Sequence, residues 1–147
     1  ARRSHFARVD IEGEQVYSRQ FDDIYFSRED GLAESRYVFL QGNDLPANWQ
    51  NKSLFAIAET GFGSGLNFLL TLQAWQEDPQ HCKQLDYYSI EGFPLRANDL
   101  QQLHRNWPEL ATLSDALIRQ YPPISHGVHT LYFQHGRVRL HLVFDEV

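Results

Sequence analysis

The sequence predicts an α/β fold built on a parallel sheet, and three observations carry that reading. Strand-like and helix-like segments alternate between residues 54 and 144 as strand, helix, strand, helices, strand. The apolar run Leu54-Phe-Ala-Ile-Ala58 passes through Glu59 into Gly61-Phe-Gly63-Ser-Gly65 and then into an apolar helical stretch. Acidic residues stand at the strand ends: Glu59, Glu91, and Asp145 with Glu146. Alternation of this kind makes right-handed crossovers. A ligand then binds beyond the carboxyl ends of the strands.

Residues 9–42 read as β-rich. Val9-Asp-Ile11 and Gln15-Val-Tyr17 flank Glu12-Gly-Glu14 as a hairpin. Phe21-Asp-Asp-Ile-Tyr-Phe26 is a further apolar-polar cluster. Gly31 to Leu40 fits a short helix or a strand, and periodicity does not separate them. Asn43 to Asn48 is a loop, and Asn51-Lys-Ser53 leads into the first buried strand.

After the glycine turn, Leu66, Leu69, Leu70, Leu72 and Trp75 predict a largely buried helix. Leu85 to Ile90 is the second buried strand, ending at Glu91. Pro94 is placed to start a helix with Leu100, Leu103 and Trp107 on its apolar face. Pro108 ends that helix or starts another, which buries Leu110, Leu113, Leu117 and Tyr121 and stops at Pro122-Pro123. Val138, Leu140, Leu142 and Phe144 alternate with Arg137, Arg139 and His141, the period of a half-buried strand. Leu131-Tyr-Phe133 pairs with it across a turn at His135-Gly136.

A chain of 147 residues fits one domain with a real core. Residues 1–50 form an N-terminal β-rich extension, and 51–147 the first half of a nucleotide-type sheet. A formal charge of −6 argues against a general nucleic-acid-coating protein. It leaves room for an enzyme that handles nucleic acid through a local patch. No apolar run reaches the roughly 18 residues of a membrane span. Cys82 is the only cysteine, which excludes an internal disulfide and points to a cytoplasmic setting. Its polar surroundings, Gln76 to Lys83, make a catalytic thiol the poorer reading. No metal is expected: His126, His129 and His135 lie in or beside a hairpin without a partner set and read as surface residues. The lack of methionine and the stop at Val147 suggest an incomplete chain, truncated at the C-terminus.

The glycine spacing discriminates between cofactors. A dinucleotide fingerprint wants a small residue where Leu66 stands, which argues against a nicotinamide-dependent oxidoreductase. The absence of Gly-Lys-Ser/Thr excludes a P-loop. Glu59-x-Gly61-x-Gly63-x-Gly65 resembles the cofactor loop of class I methyltransferases, which bind S-adenosylmethionine (AdoMet). Glu91, thirty residues after Gly61, is placed to accept hydrogen bonds from ribose hydroxyls.

A closer resemblance rests on five blocks in order. They are Phe21-Asp-Asp-Ile-Tyr-Phe-Ser27, Tyr37-Val-Phe-Leu-Gln-Gly-Asn43, Glu59 to Phe68, Ser89-Ile-Glu-Gly-Phe-Pro-Leu95 and Trp107-Pro-Glu-Leu110. In these the chain resembles the methyltransferase domain of the bifunctional wobble-uridine enzyme family MnmC. The resemblance implies a Rossmann-like class I AdoMet-dependent fold. It implies methyl transfer to the 5-aminomethyl group of the wobble uridine in the tRNA anticodon loop. By it Glu59, Gly61, Gly63 and Gly65 line the cofactor with Asn67 close by, Glu91 holds the ribose, and Phe93 packs near the adenine. Asp23 and Tyr25 become candidate catalytic residues, with Asp22 beside them. FAD is implied only where a flavin oxidoreductase domain is fused. The chain departs from the family pattern at Gly92, Asn48 and Asp145-Glu146. The family's later Asp-Gly-Phe-Ala-Pro, whose Asp positions the amine, has no counterpart here. The alternative from another class is a truncated nucleotide- or tRNA-binding module without turnover.

Overall fold

The structure is a computed structural model. It describes the backbone of residues 9–12, 15–18, 23–27 and 30–145, and the side chains of residues 32–145. Among the described residues there are two sheets. One is three-stranded and antiparallel: β1 (Val9–Glu12), β2 (Gln15–Ser18) and β3 (Asp23–Ser27), with Glu12 opposite Gln15. This is the predicted hairpin, although its turn, residues 13 and 14, lies outside the described residues. Asp23 and Tyr25 sit on β3; their side chains, and Asp22 altogether, lie outside the described residues.

The ambiguous segment from Gly31 is a helix, α1 (Asp30–Gly42), lying against β3 and the next helix. Leu32 is buried, and Phe39 and Leu40 pack on the core, while Tyr37 and Val38 are exposed. That spacing is helical, and tertiary burial decides what local periodicity left open. The loop that follows includes a short 3-10 turn, Ala47–Trp49, which places Trp49 in the core. Its indole donates to Asp78 at 2.8 Å.

The second sheet holds β4 (Leu54–Thr60), β5 (Gln84–Glu91), β6 (Gly127–Phe133) and β7 (Val138–Phe144), in the order β4-β5-β7-β6. The first three in that order are parallel, and β6 closes the edge as an antiparallel hairpin partner of β7. Its turn spans residues 134–137, with Gln134 and His135 at positive φ, one residue ahead of the predicted His135-Gly136. Between the strands run α2 (Leu66–Glu77), α3 (Ala97–His104) and α4 (Ala111–Gln120). The crossovers advance in one direction, so right-handedness puts these helices on one face. Phe68, Tyr87, Leu100, Leu103, Leu117, Leu140 and Phe144 make the core between helices and sheet.

The other face is polar at its centre and apolar around it. Asp86 receives Arg139 at 2.7 and 3.1 Å and His141 Nε2 at 2.8 Å, and Tyr88 stacks on His141. Leu54, Ile90, Val128 and Tyr132 are exposed around this network.

Pro94 does not open α3, which begins three residues later. The segment from Glu91 to Arg96 is held as a turn instead. Glu91 accepts the Phe93 amide, and the Tyr121 hydroxyl donates to the Leu95 carbonyl at 2.7 Å. Pro108 opens a single 3-10 turn, Pro108–Leu110, that feeds α4. Cys82 is fully buried despite its polar neighbours, and burial pushes its thiol pKa up. Among the described residues no helix is long and apolar enough to cross a membrane.

Candidate functional site

The carboxyl ends of β4 and β5 lie side by side, with Glu59 in register with Ser89 and Thr60 with Ile90. The chain leaves β4 through the glycine turn, and each part of that turn is anchored. The Gly61 amide donates to the Ile90 carbonyl at 2.7 Å. The Gly63 amide donates to Glu91 Oε1 at 2.8 Å. The Gly65 amide closes back on the Phe62 carbonyl at 2.9 Å. Gly61, Gly63 and Gly65 all take positive φ, +86°, +56° and +79°, the region that L side chains avoid.

Two of these glycines differ in what surrounds them. A Cβ on Gly61 would meet nothing within 4 Å. One on Gly65 would lie 2.8 and 2.9 Å from the ring of Phe62. Gly65 is therefore required by packing, while Gly61 borders open space at the sheet edge. Gly65 also caps α2, and having no side chain it cannot satisfy the first helical amides itself. Such a helix start is suited to a polar or anionic group.

Glu91 is buried, and both of its oxygens are engaged. Oε1 takes the Gly63 amide and Oε2 the Phe93 amide at 3.0 Å. Each carboxylate oxygen has a second lone pair. The acid thus fastens the glycine turn to the end of β5 and retains acceptor capacity. Phe93 is half-buried against the core beside it. Asp145 donates its amide to the Glu91 carbonyl, so the end of β7 joins the same edge; Glu146 lies outside the described residues.

Glu59 lies under the start of α2. Ser89 donates to it at 3.2 Å and Asn67 at 3.5 Å. Burial raises its pKa from 4.5 to about 7, opposed by the neighbouring Tyr87 hydroxyl and by the hydrogen bonds from Asn67 and Ser89, and aided by the charge of Glu91. The Tyr87 hydroxyl lies close to this carboxylate but not in good hydrogen-bond geometry. An acid with a raised folded pKa favours folding below its ordinary pKa and loses that contribution as pH rises through 7. Glu59→Gln is therefore expected to be more stable than wild type at about pH 8, by about 3 kcal/mol. The gap should close below pH 4.5. Denaturant melts across this range check it, and a gap independent of pH would refute the burial argument.

The structure thus brings Glu59, Asn67, Gly61, Gly63, Gly65, Glu91 and Phe93 to one edge. Sequence reasoning missed Ser89 and Tyr87, which sit on the helix-facing row of β5, and His104. His104 is buried, with Nδ1 2.6 Å from Ser114 Oγ and Nε2 2.7 Å from the Ser64 carbonyl. A signal for its burial was present, since Leu100, Leu103, His104 and Trp107 follow helical spacing. Among the described residues no group of three or more His, Cys, Asp or Glu could hold a metal.

No protein-family model matches the chain. Several curated proteins do, each named tRNA 5-methylaminomethyl-2-thiouridine biosynthesis bifunctional protein MnmC. The Aromatoleum aromaticum protein is 47% identical over 129 residues, 88% of this chain and 20% of that protein. The Legionella pneumophila (strain Corby) protein is 41% identical over 146 residues, 96% of this chain and 22% of that protein. The chain spans about a fifth of the length of these relatives. Among solved structures, the crystal structure of MNMC2 from Aquifex aeolicus superposes with a TM-score of 0.65 at 17% identity, over 94% of this chain and 43% of that one. That likeness bears on the fold, and it agrees with the four-stranded α/β sheet described above. On the sequence matches, the chain is similar over the matched region to MnmC proteins.

Proposed function

We propose that this chain is the cofactor-binding part of an AdoMet-dependent N-methyltransferase acting on the 5-aminomethyl group of the wobble uridine in tRNA. The observation that carries it is the identity of 41–47% to MnmC proteins, in a chain whose glycine turn is fastened to an acid at the carboxyl edge of a parallel sheet. On this reading residues 1–50 are a β-rich extension and 51–147 the first half of the methyltransferase sheet, within one domain. FAD enters only with the oxidoreductase domain implied by the relatives' bifunctional name.

The residues fit the cofactor. Gly61 opens on free space where a side chain would intrude. Glu91 has acceptor capacity left for the ribose hydroxyls, and Phe93 offers a ring at the same edge. Glu59 and Asn67 sit under the helix start as polar partners. When bound, AdoMet supplies a methyl group already activated on a sulfonium sulfur. The chain's own task is then position. The accepting amine must be neutral, because an ammonium has no lone pair. Asp23 and Tyr25 on β3 are the motif residues of this chain suited to orient such an amine and take its proton.

The test is transfer of a labelled methyl group from AdoMet to tRNA bearing 5-aminomethyl-2-thiouridine, using the full-length protein. Incorporation is expected, together with its loss in Gly61→Val. Cofactor binding without any incorporation would instead favour a binding module.

A further inference from the structure

We propose that His104 is a positioning residue that sets the glycine turn from behind and thereby tunes cofactor affinity. The inference rests on the reading of that turn as the cofactor site. Of the turn's anchors, three are amides held from the sheet or from within the turn: Gly61 by Ile90, Gly63 by Glu91 and Gly65 by Phe62. The Gly65 carbonyl continues into α2 by accepting the Leu69 amide at 3.0 Å, and the Ser64 carbonyl reaches α3, through His104 Nε2 at 2.7 Å. Ser64 is 4% exposed, so this carbonyl has little access to water.

The hydrogen positions follow from chemistry. A carbonyl only accepts, so Nε2 carries the hydrogen. In the neutral ring Nδ1 is then an acceptor, and Ser114 donates to it at 2.6 Å. Burial lowers the His104 pKa, against the hydrogen bond to Ser64, which favours this neutral form near pH 7. The ring bridges three elements: α3, which carries it, Ser114 of α4, and the turn between β4 and α2. The peptide that His104 grips joins Ser64 to Gly65; the Phe62 carbonyl holds its amide and His104 its carbonyl, so losing the His104 bond leaves it held at one end only, beside a glycine free in φ and ψ. Rotation would move the amides at the start of α2, where the ligand is bound.

Two conservative replacements separate the roles of the two nitrogens. In His104→Gln the side-chain amide reaches about as far as Nε2 and keeps a donor for Ser64. In His104→Asn it reaches about as far as Nδ1 and keeps the Ser114 contact but not the turn. With S-adenosylhomocysteine as probe, calorimetry on the full-length protein is expected to find Gln within about threefold of wild type. Asn should bind about tenfold more weakly, the worth of one buried hydrogen bond. Hydrogen exchange of the Gly65 amide without ligand should be faster in Asn than in Gln. Equal affinity and equal exchange in the two variants would overturn the proposal. If wild type fails to bind the probe, the cofactor reading falls, while the exchange comparison still decides the clamp. Histidine 15N shifts of the wild type give a check that needs no variant: the Nε2–H tautomer is expected, and Nδ1–H at His104 would refute the bridge.

Discussion

Gly65→Ala is expected to lower the unfolding free energy by about 2–5 kcal/mol. Two costs combine. An alanine at φ +79° carries about 1–2 kcal/mol of left-handed strain. Its Cβ also falls 2.8 Å from the Phe62 ring, which is itself buried at 5% exposure and has no room to retreat. Overpacking of this kind adds about 1–3 kcal/mol. Gly61→Ala makes the control. It takes the same backbone strain but meets nothing within 4 Å, so it should cost only that strain, about 1–2 kcal/mol. The two variants should then rank oppositely in two measurements. Gly65→Ala should lose more in a denaturant melt. Gly61→Ala should lose cofactor affinity out of proportion to its small loss of stability, because its new methyl group enters the open space proposed for the ligand. If Gly61→Ala binds S-adenosylhomocysteine as wild type does, that space is not the cofactor site.

Glu91→Ala is expected to be the most damaging change to binding, with a loss of at least about 100-fold in affinity for AdoMet or its product, and to cost about 2–4 kcal/mol of stability. The stability term comes from two amides, Gly63 and Phe93, that would lose a buried acceptor. Each such loss is worth about 1–3 kcal/mol, partly recovered where water enters. The binding term has two sources, the proposed ribose contact and the loosened turn. Glu91→Gln separates them. It keeps one acceptor oxygen but turns an NH2 group toward the other amide, so the turn is half held and one ribose acceptor is lost. Intermediate affinity is expected by calorimetry. Unchanged affinity in Glu91→Ala would sink the ribose assignment.

Much of the fold was legible in the sequence because it is written in local periodicity. The alternation over Val138 to Phe144 reads as a strand with one buried face, and the structure buries Val138, Leu140, Leu142 and Phe144. Proline spoke less clearly. Pro94 has the chemistry of a helix start, but hydrogen bonds at Phe93 and Leu95 hold a turn there. The segment at Gly31 had a pattern compatible with two states, and only the layer it packs on made it α1.

The site divides along the same line. By itself the sequence determined that glycines at 61, 63 and 65 follow one strand and that acids stand at the ends of two later ones, at Glu91 and Asp145, because backbone conformation and side-chain period are properties of neighbouring residues. The blocks around them also carried the resemblance to MnmC proteins, which relatives 41–47% identical bear out. Only the tertiary structure decided what these residues touch. Glu91 spends an oxygen on an amide 28 positions away, and His104 reaches a carbonyl 40 positions away. It likewise decided that Glu59 is buried deeply enough to hold its proton up to about pH 7. Desolvation and long-range hydrogen bonds depend on which surfaces meet, and no local pattern encodes that.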